Sequence, residues 1–62
     1  MEAHRIQPRL LTEEQAAQYI GRTLKGIQAL RYKGLIRYHR IDRRVHYDIR
    51  DLDNWIEEYK AQ

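Results

Sequence analysis

The 62-residue sequence contains no cysteine, and it has little proline or glycine, with one and three residues respectively. Without cysteine the chain cannot form disulfides or thiolate zinc sites, two common ways of stabilising a small fold. With 42% hydrophobic and 34% charged residues it is too apolar to be disordered. We therefore expect one small domain of modest stability, which hides only about 60% of the surface that its unfolded chain exposes.

The features of an enzyme or a membrane protein are also missing. There is no serine and no glycine-rich phosphate loop, and His4, His39 and His46 lack metal-ligand spacing. No apolar run is long enough to cross a bilayer, and the start of the chain lacks the apolar core of a secretory signal. We therefore predict a cytoplasmic protein that is not an enzyme, with no cofactor, no metal and no membrane contact.

The net charge of +3 is unevenly distributed along the chain. Residues 22–50 carry nine lysines and arginines against two aspartates, a balance of +7, whereas residues 1–21 and 51–62 carry −1 and −3. Such a cluster is typical of a protein that binds a polyanion, because each neutralised phosphate releases counterions. A solvated charged surface without a partner gives the same pattern, so charge alone leaves both interpretations open.

Two short helices are predicted in the first half of the chain. Thr12 and Gln15 have the spacing of a capping box, which predicts a first helix over about residues 13–20. Thr23 is a good cap for a second helix over residues 24–33. A glycine follows each helix, where a left-handed residue ends it, and the short gap between the two helices is typical of a helix-turn-helix.

The second predicted helix has two different faces. Ile27 and Leu30 lie on one side, with Leu24 at its margin. The opposite side carries Lys25, Gln28, Ala29 and Tyr32. A helix in the major groove of DNA would present such a face, since Gln28 can pair with adenine while the lysine and the tyrosine reach phosphates. An ordinary solvent-exposed face remains the alternative interpretation.

The segment after the second helix is predicted to form a β-hairpin. Its strands cover about residues 35–41 and 45–47, and the turn comprises residues 42–44. With a three-residue turn, Ile41 lies opposite Val45, so that one face of the hairpin is largely apolar and the other is basic.

The basic side of this hairpin includes its tip. Arg40 and His46 are expected to share the face that carries the charge. Arg43 and Arg44 lie side by side at the tip, where they can enter a minor groove or bind phosphates. Burial of apolar surface does not explain two arginines at this position.

A third helix with an apolar stripe is predicted at the end of the chain. Asp48 is suited to cap it, and apolar residues recur at helical spacing. The stripe comprises Ile49, Leu52, Trp55, Ile56 and Tyr59. Trp55 is predicted to be the central core residue rather than a residue that stacks on a ligand. The predicted fold is mainly α with a small β-hairpin, in the order helix-helix-strand-strand-helix, and a flexible N-terminal arm, residues 1–10, precedes the domain at residues 11–62.

Several short segments, taken together in their order and spacing, resemble the excisionase-like and AlpA-like phage regulators, which are related to the DNA-binding heads of the MerR regulators. The resemblance covers residue 11 to about residue 58. The matching segments are LTEEQAA at 11–17, YIG at 19–21, RYKGL at 31–35, RRVHY at 43–47 and DLDNWI at 51–56. Two residues depart from the family pattern: Gly26 replaces the usual Thr or Ser, and Asp42 replaces a common wing-turn glycine.

The resemblance implies a winged helix-turn-helix that binds double-stranded DNA. Helix 24–33 would enter the major groove, and the wing at residues 36–47 would lie on the minor groove or the backbone. The protein would be an excisionase-type recombination directionality factor or a small transcriptional regulator of a phage or mobile element. The predicted DNA contacts are Arg22, Thr23, Lys25, Gln28, Ala29, Arg31, Tyr32, Arg40, Arg43, Arg44 and His46.

The sequence leaves the protein partners open. No long heptad segment is present, so we expect a monomer or a weak dimer that binds DNA cooperatively, with a recombinase or RNA polymerase as the protein partner to consider. The alternative function is a protein-interaction adaptor that docks an acidic partner through the basic face, with Tyr32 and Tyr38. RNA binding is a third interpretation.

Overall fold

The computed structural model describes residues 9–61, which form three helices and a three-stranded antiparallel sheet. The elements are β1 (Leu10–Thr12), α1 (Glu13–Tyr19), α2 (Leu24–Tyr32), β2 (His39–Ile41), β3 (Arg44–Asp48) and α3 (Ile49–Lys60). The predicted fold class is confirmed, with the short strand β1 as an addition that the sequence analysis did not include. Within these residues no helix is both long enough and apolar enough to cross a membrane.

Each helix begins at a residue whose side chain accepts a backbone amide. The Thr12 hydroxyl accepts the Gln15 amide at 3.2 Å, and the Gln15 side chain accepts the Thr12 amide at 3.0 Å, which completes the predicted capping box. Thr23 accepts the amide of Gly26 at 3.1 Å, and Asp48 caps α3 in the same way. The predicted start of every helix is therefore confirmed.

Two glycines end the first two helices in left-handed backbone. Gly21 has φ +75° and Gly34 has φ +72°, values at which a side chain would strain the chain. The amide of Arg22 then bonds back to the Ala17 carbonyl at 2.8 Å. This tight reversal brings the N-terminus of α2 directly after α1, as the helix-turn-helix prediction requires.

The core lies between the sheet and the three helices. Tyr47, Ile27 and Leu52 are the largest fully buried side chains. The prediction that Trp55 is the central core residue is wrong, because it is only partly buried and packs against the outside of the core. Its ring stacks on Tyr59, with the ring centroids 5.1 Å apart, so part of its contact area comes from α3 itself.

The register of the hairpin differs by one residue from the predicted one. Arg40 pairs with Val45 and Ile41 pairs with Arg44, so the turn contains only two residues, 42–43. The prediction of a three-residue turn, with Ile41 opposite Val45, is therefore wrong. Both turn residues have positive φ, as in a type I′ turn, whose twist matches that of the adjoining strands.

The one-residue shift places the side chains of β2 on the opposite face, relative to those of β3, from the one predicted. Arg40 shares a face with Val45, next to the buried Tyr47, whereas His46 lies on the other face with its partner His39. The expectation that Arg40 and His46 share one face is therefore wrong. Ile41, expected on the apolar face, is instead 40% exposed on the outer one.

Strand β1 attaches the start of the domain to the centre of the sheet. It pairs with β3, with Leu11 opposite Tyr47. The Arg9 Nε donates to Asp48 Oδ2 at 2.8 Å, and the Arg9 carbonyl accepts the Ile49 amide at 2.9 Å. Of the predicted arm at residues 1–10, residues 1–8 lie outside the described residues, while Arg9 and Leu10 make these contacts with the domain.

Candidate nucleic-acid interface

Helix α2 presents three of its four predicted groove residues to solvent. Lys25 and Ala29 are exposed, and Tyr32 is 75% exposed. Ile27 is fully buried on the opposite side. Gln28 differs from the other three because it is half-buried, at the boundary between α2 and α1. Lys25, Ala29 and Tyr32 therefore form a solvent-exposed face of α2, whereas Gln28 lies at an edge of the helix that contacts the rest of the domain.

The side chains of α2 that face α1, Gln28 and Arg31, contact one carboxylate, that of Glu13 in α1. Its Oε2 accepts the Arg31 Nε at 2.8 Å and the Tyr47 hydroxyl at 2.7 Å. Its Oε1 is 3.4 Å from both the Arg31 Nη2 and the Gln28 Nε2. One carboxylate therefore connects α1, α2 and β3.

The charges in this cluster are stabilised by each other. Burial alone would raise the pKa of Glu13, but the hydrogen bonds from Arg31, Tyr47 and Gln28 together outweigh it and hold the pKa below its ordinary value of 4.5. Burial raises the pKa of the Tyr47 phenol, and its bond to Glu13 raises it further. The cluster is thus a carboxylate, a guanidinium and a neutral phenol at neutral pH.

Arg31 was predicted to contact DNA, and the structure places its guanidinium against the protein. The side chain is 11% exposed and is ion-paired with Glu13. The Arg31 Cζ also lies 4.7 Å from the ring centroid of Tyr32 and 5.6 Å from that of Tyr38. Arg31 therefore links α2 both to α1 and to the segment that leads into β2.

Arg22 and Thr23 precede α2 and have different environments. The Thr23 hydroxyl is engaged as the helix cap. Arg22 is exposed, and its Cζ lies 5.5 Å from the ring centroid of Trp55 and 5.4 Å from that of Tyr59. A guanidinium stacked by its face on aromatic rings keeps its N–H edges free for hydrogen bonds.

The hairpin carries its arginines at exposed positions. Arg43 lies in the turn, at φ +67°, and Arg44 lies in the first position of β3. Arg40 is exposed as well, on the other face from Arg44. His46 is half-buried, and its Nδ1 lies 3.2 Å from the Arg44 carbonyl. Arg43 in the turn and Arg44 directly after it are thus both exposed at the tip of the hairpin.

Cations of the domain divide into engaged and unengaged groups. Among residues 9–61, the ion pairs link Arg9 and Arg50 to Asp48, Arg31 to Glu13, and Lys60 to Glu57. Seven lysines and arginines have no acidic partner within the same residues, namely Arg22, Lys25, Lys33, Arg37, Arg40, Arg43 and Arg44. The unengaged group lies entirely in the short connection before α2, in α2 and the residues that follow it, and in the hairpin.

No group of three histidine, aspartate or glutamate side chains within residues 9–61 is arranged to hold a metal ion. His39 is instead close to a single carboxylate, with its Nε2 3.3 Å from Asp51 Oδ2.

A family model described as a helix-turn-helix domain matches residues 10–60. The chain belongs to the helix-turn-helix domain family. That family includes AlpA-like and excisionase-like proteins, and its domain suggests DNA binding and a DNA partner. A comparison with curated proteins found no match. The matched range begins at β1 and ends in α3, so it covers every element described above.

Sequence reasoning did not identify Glu13 as part of this surface. An acidic residue in the first turn of a helix is ordinary, because it complements the helix dipole. The only sequence signal is that Arg31 and Gln28, three residues apart on α2, lie on one edge of the helix. Which acid meets that edge depends on how α1 packs against α2, and the sequence does not specify this.

Proposed function

We propose that this protein binds double-stranded DNA and prefers a specific base sequence. One observation carries the proposal: among residues 9–61, the cations of the α2 surface and the hairpin are exposed without acidic partners, whereas those of the two ends are ion-paired. Unpaired surface cations grouped on a helix-turn-helix and its hairpin are the electrostatic footprint of a protein that binds the phosphates of a duplex.

Helix α2 is the element that we place in the major groove. Ala29 has no bulk beyond its methyl group, so the helix can approach the base edges closely, and Lys25 and Tyr32 flank it as phosphate contacts. Gln28 is the residue proposed to read a base, because a carboxamide can pair with both N6 and N7 of adenine. The N-terminal neighbours of α2, Arg22 and Thr23, complete this contact row.

The hairpin at residues 36–47 is proposed to lie on the neighbouring minor groove or backbone. Arg43 and Arg44 are its principal contacts, since the turn places both at the exposed tip. Arg40 and His46 lie on opposite faces of the hairpin, so the two cannot share one contact surface in the way first expected. We propose that Arg40 binds phosphate and that His46 supports the tip through the Arg44 carbonyl.

Arg31 receives a different role in this proposal from the one that its charge suggests. Its Nε and Nη2 face Glu13, and its side chain is 11% exposed. We propose that it fixes the direction of α2 relative to α1, and that Tyr32 and Tyr38, on which it stacks, take their position from it.

The biological role that we propose is that of an excisionase-type directionality factor or a small transcriptional regulator of a phage or mobile element. Both roles use the same DNA-binding unit, with a recombinase or RNA polymerase as the protein partner. Because a domain with few base contacts reads a short site, we expect a monomer or weak dimer that binds adjacent sites cooperatively in the cytoplasm of its host.

A selection from random duplexes tests the proposed function. The protein is incubated with randomised double-stranded DNA at several salt concentrations, and the bound fraction is sequenced. We expect one short motif to be enriched, with an affinity that falls steeply as salt rises. Enrichment of no motif, together with equal binding to an acidic protein, would overturn the proposal in favour of the adaptor function.

A further inference from the structure

Glu13 does more in this structure than neutralise Arg31, because it also contacts the residue proposed to read a base. The Gln28 Nε2 lies 3.4 Å from Glu13 Oε1 and on the donor side of that contact. The other carboxylate oxygen, Oε2, receives the two short bonds, from Arg31 and Tyr47. Glu13 is therefore fixed in place by two strong partners, and its second oxygen accepts from the glutamine as well as from the Arg31 Nη2, each at 3.4 Å.

The contact determines which way the Gln28 carboxamide faces. A carboxylate only accepts hydrogen bonds, so the amide nitrogen, and not the carbonyl oxygen, must be turned towards Glu13. The nitrogen carries two hydrogens, of which this bond uses one. The remaining hydrogen and the carbonyl oxygen are the donor and the acceptor that match N7 and N6 of adenine.

We propose that Glu13 is a positioning residue for sequence recognition, which holds the Gln28 carboxamide with its donor and acceptor pair presented to one adenine. This inference rests on the proposed function and specifies how its base reading is achieved. Glu13 acts through Gln28 and does not contact DNA: its side chain is 15% exposed, and a carboxylate at the duplex would face phosphate repulsion.

The size of the effect follows from the freedom that Gln28 would otherwise have. Ordering a long side chain at an interface weakens binding by about two- to tenfold when the side chain is not held beforehand. A complete carboxamide contact discriminates roughly tenfold to hundredfold between adenine and other bases. Loss of Glu13 should therefore remove part of the discrimination that loss of Gln28 removes in full.

The test measures base preference at one position of the selected site, for the unaltered chain and four variants. Gln28→Ala should lower the preference for adenine at one base pair roughly tenfold to hundredfold. Glu13→Ala should lower it about two- to tenfold at the same base pair and at no other. Glu13→Gln, which keeps an acceptor oxygen, should restore most of it. In a Gln28→Ala background, Glu13→Ala should change nothing further at that base pair.

A matched control separates positioning from stability. Tyr47→Phe removes the 2.7 Å bond to Glu13 Oε2 but leaves the Arg31 bond to that oxygen and the Oε1 contact with Gln28, so it should lower stability while changing base preference much less than Glu13→Ala does. If Glu13→Ala does not fold, the double variant Glu13→Ala with Arg31→Met removes both charges, and its remaining base preference is compared with that of Arg31→Met alone.

The outcomes are distinguishable from failure of the proposed function. If the unaltered chain shows no preferred sequence, the proposed function is wrong and this inference is wrong with it. If the chain has a preferred sequence that Gln28→Ala relaxes, but Glu13→Ala keeps the full preference, only the role of Glu13 is overturned. An equal loss from Glu13→Ala in both backgrounds would likewise reduce Glu13 to a structural residue.

Discussion

Arg31 in helix α2 and Arg43 in the hairpin belong to the same basic stretch of sequence, yet the structure gives them opposite environments. Arg31 is 11% exposed and bonded to Glu13 through two nitrogens. Arg43 is exposed at a two-residue turn and has no acidic partner among residues 9–61. The comparison teaches that the +7 balance of residues 22–50 overstates the charge that is free to meet a polyanion.

The environments of Arg31 and Arg43 also destabilise the fold in different ways, one through lost hydration and the other through the backbone. A guanidinium that loses water must be paired, and removing one partner leaves an uncompensated charge. An arginine at the hairpin tip keeps its hydration, and its cost is in the backbone, since a residue with a side chain at φ +67° is strained. The following predictions use these differences to test whether the domain separates cations that hold the fold from cations that bind DNA.

The largest expected effect is on stability. Arg31→Ala should lower the free energy of unfolding by about 3 kcal/mol, at the lower end for a buried pair because Glu13 keeps 15% exposure. Arg43→Ala should change it by less than about 0.5 kcal/mol, as an exposed substitution. Urea denaturation of the two variants measures both values. Equal losses in the two variants would contradict the division between engaged and free arginines.

The next effect is on DNA binding by the hairpin. Replacing both Arg43 and Arg44 with alanine should weaken binding to all sequences and lower the slope of log affinity against log salt by up to about two units. Base preference at the position read by Gln28 should stay the same. Fluorescence anisotropy with one selected and one scrambled duplex provides the measurement, and an unchanged slope would show that neither arginine touches phosphate.

A smaller effect is expected from the backbone at the turn. Arg43→Gly should raise the free energy of unfolding by about 1 kcal/mol, because glycine adopts the left-handed conformation without strain. The same change should lower the salt slope by about one unit, since one phosphate contact is lost. Thermal unfolding and anisotropy on the same variant separate the two effects. A destabilised Arg43→Gly protein would argue against the two-residue turn.

The smallest expected effect is on the stability of the fold at acidic pH. Because the pKa of Glu13 is lowered on folding, its ionised form stabilises the fold at pH values above 4.5, and this contribution is lost as the pH falls through the folded pKa. A carboxylate with a depressed pKa titrates roughly between pH 5 and pH 3. Glu13→Gln, which cannot titrate, should therefore lose less stability over this range than the unaltered chain does. Unfolding curves across that range, measured for both chains, test this; parallel curves would contradict it.

Much of the fold could be predicted because its signals are local. Thr12, Thr23 and Asp48 lie directly before periodic apolar segments, and a side chain that caps a helix acts within three residues of its own position. The glycines after α1 and α2 act locally as well. Strand β1 was missed because its three residues form a strand only by pairing with β3, more than thirty residues away.

Two errors have the same physical origin, which is that tertiary partners decide between equal local choices. A turn of two or three residues suited residues 42–44 equally, and only the observed register puts Asp42 at φ +52° and Arg43 at φ +67°. The third helix offered both Leu52 and Trp55 for the core. Leu52 is fully buried in the core together with Tyr47 of β3, whereas Trp55 is only partly buried against it.

The candidate site was predictable in its outline and not in its contacts. The exposed face of α2 follows from helical periodicity, so the positions of Lys25, Ala29 and Tyr32 agree with the sequence prediction. The contacts of Arg31 and Gln28 with Glu13 depend on how α1 packs against α2. The helical periodicity of α2 alone does not predict this packing. The DNA contacts themselves remain predictions.

The central claim is that the exposed face of α2 and the hairpin tip bind DNA while the paired cations do not. Backbone amide NMR spectra of the ¹⁵N-labelled protein, titrated with a selected duplex, test it most directly. We predict that the largest shifts occur at Lys25, Ala29 and Tyr32 and at residues 42–44, with small shifts at Arg9 and Arg50. Shifts concentrated on α3, or absent with the duplex, would contradict the account.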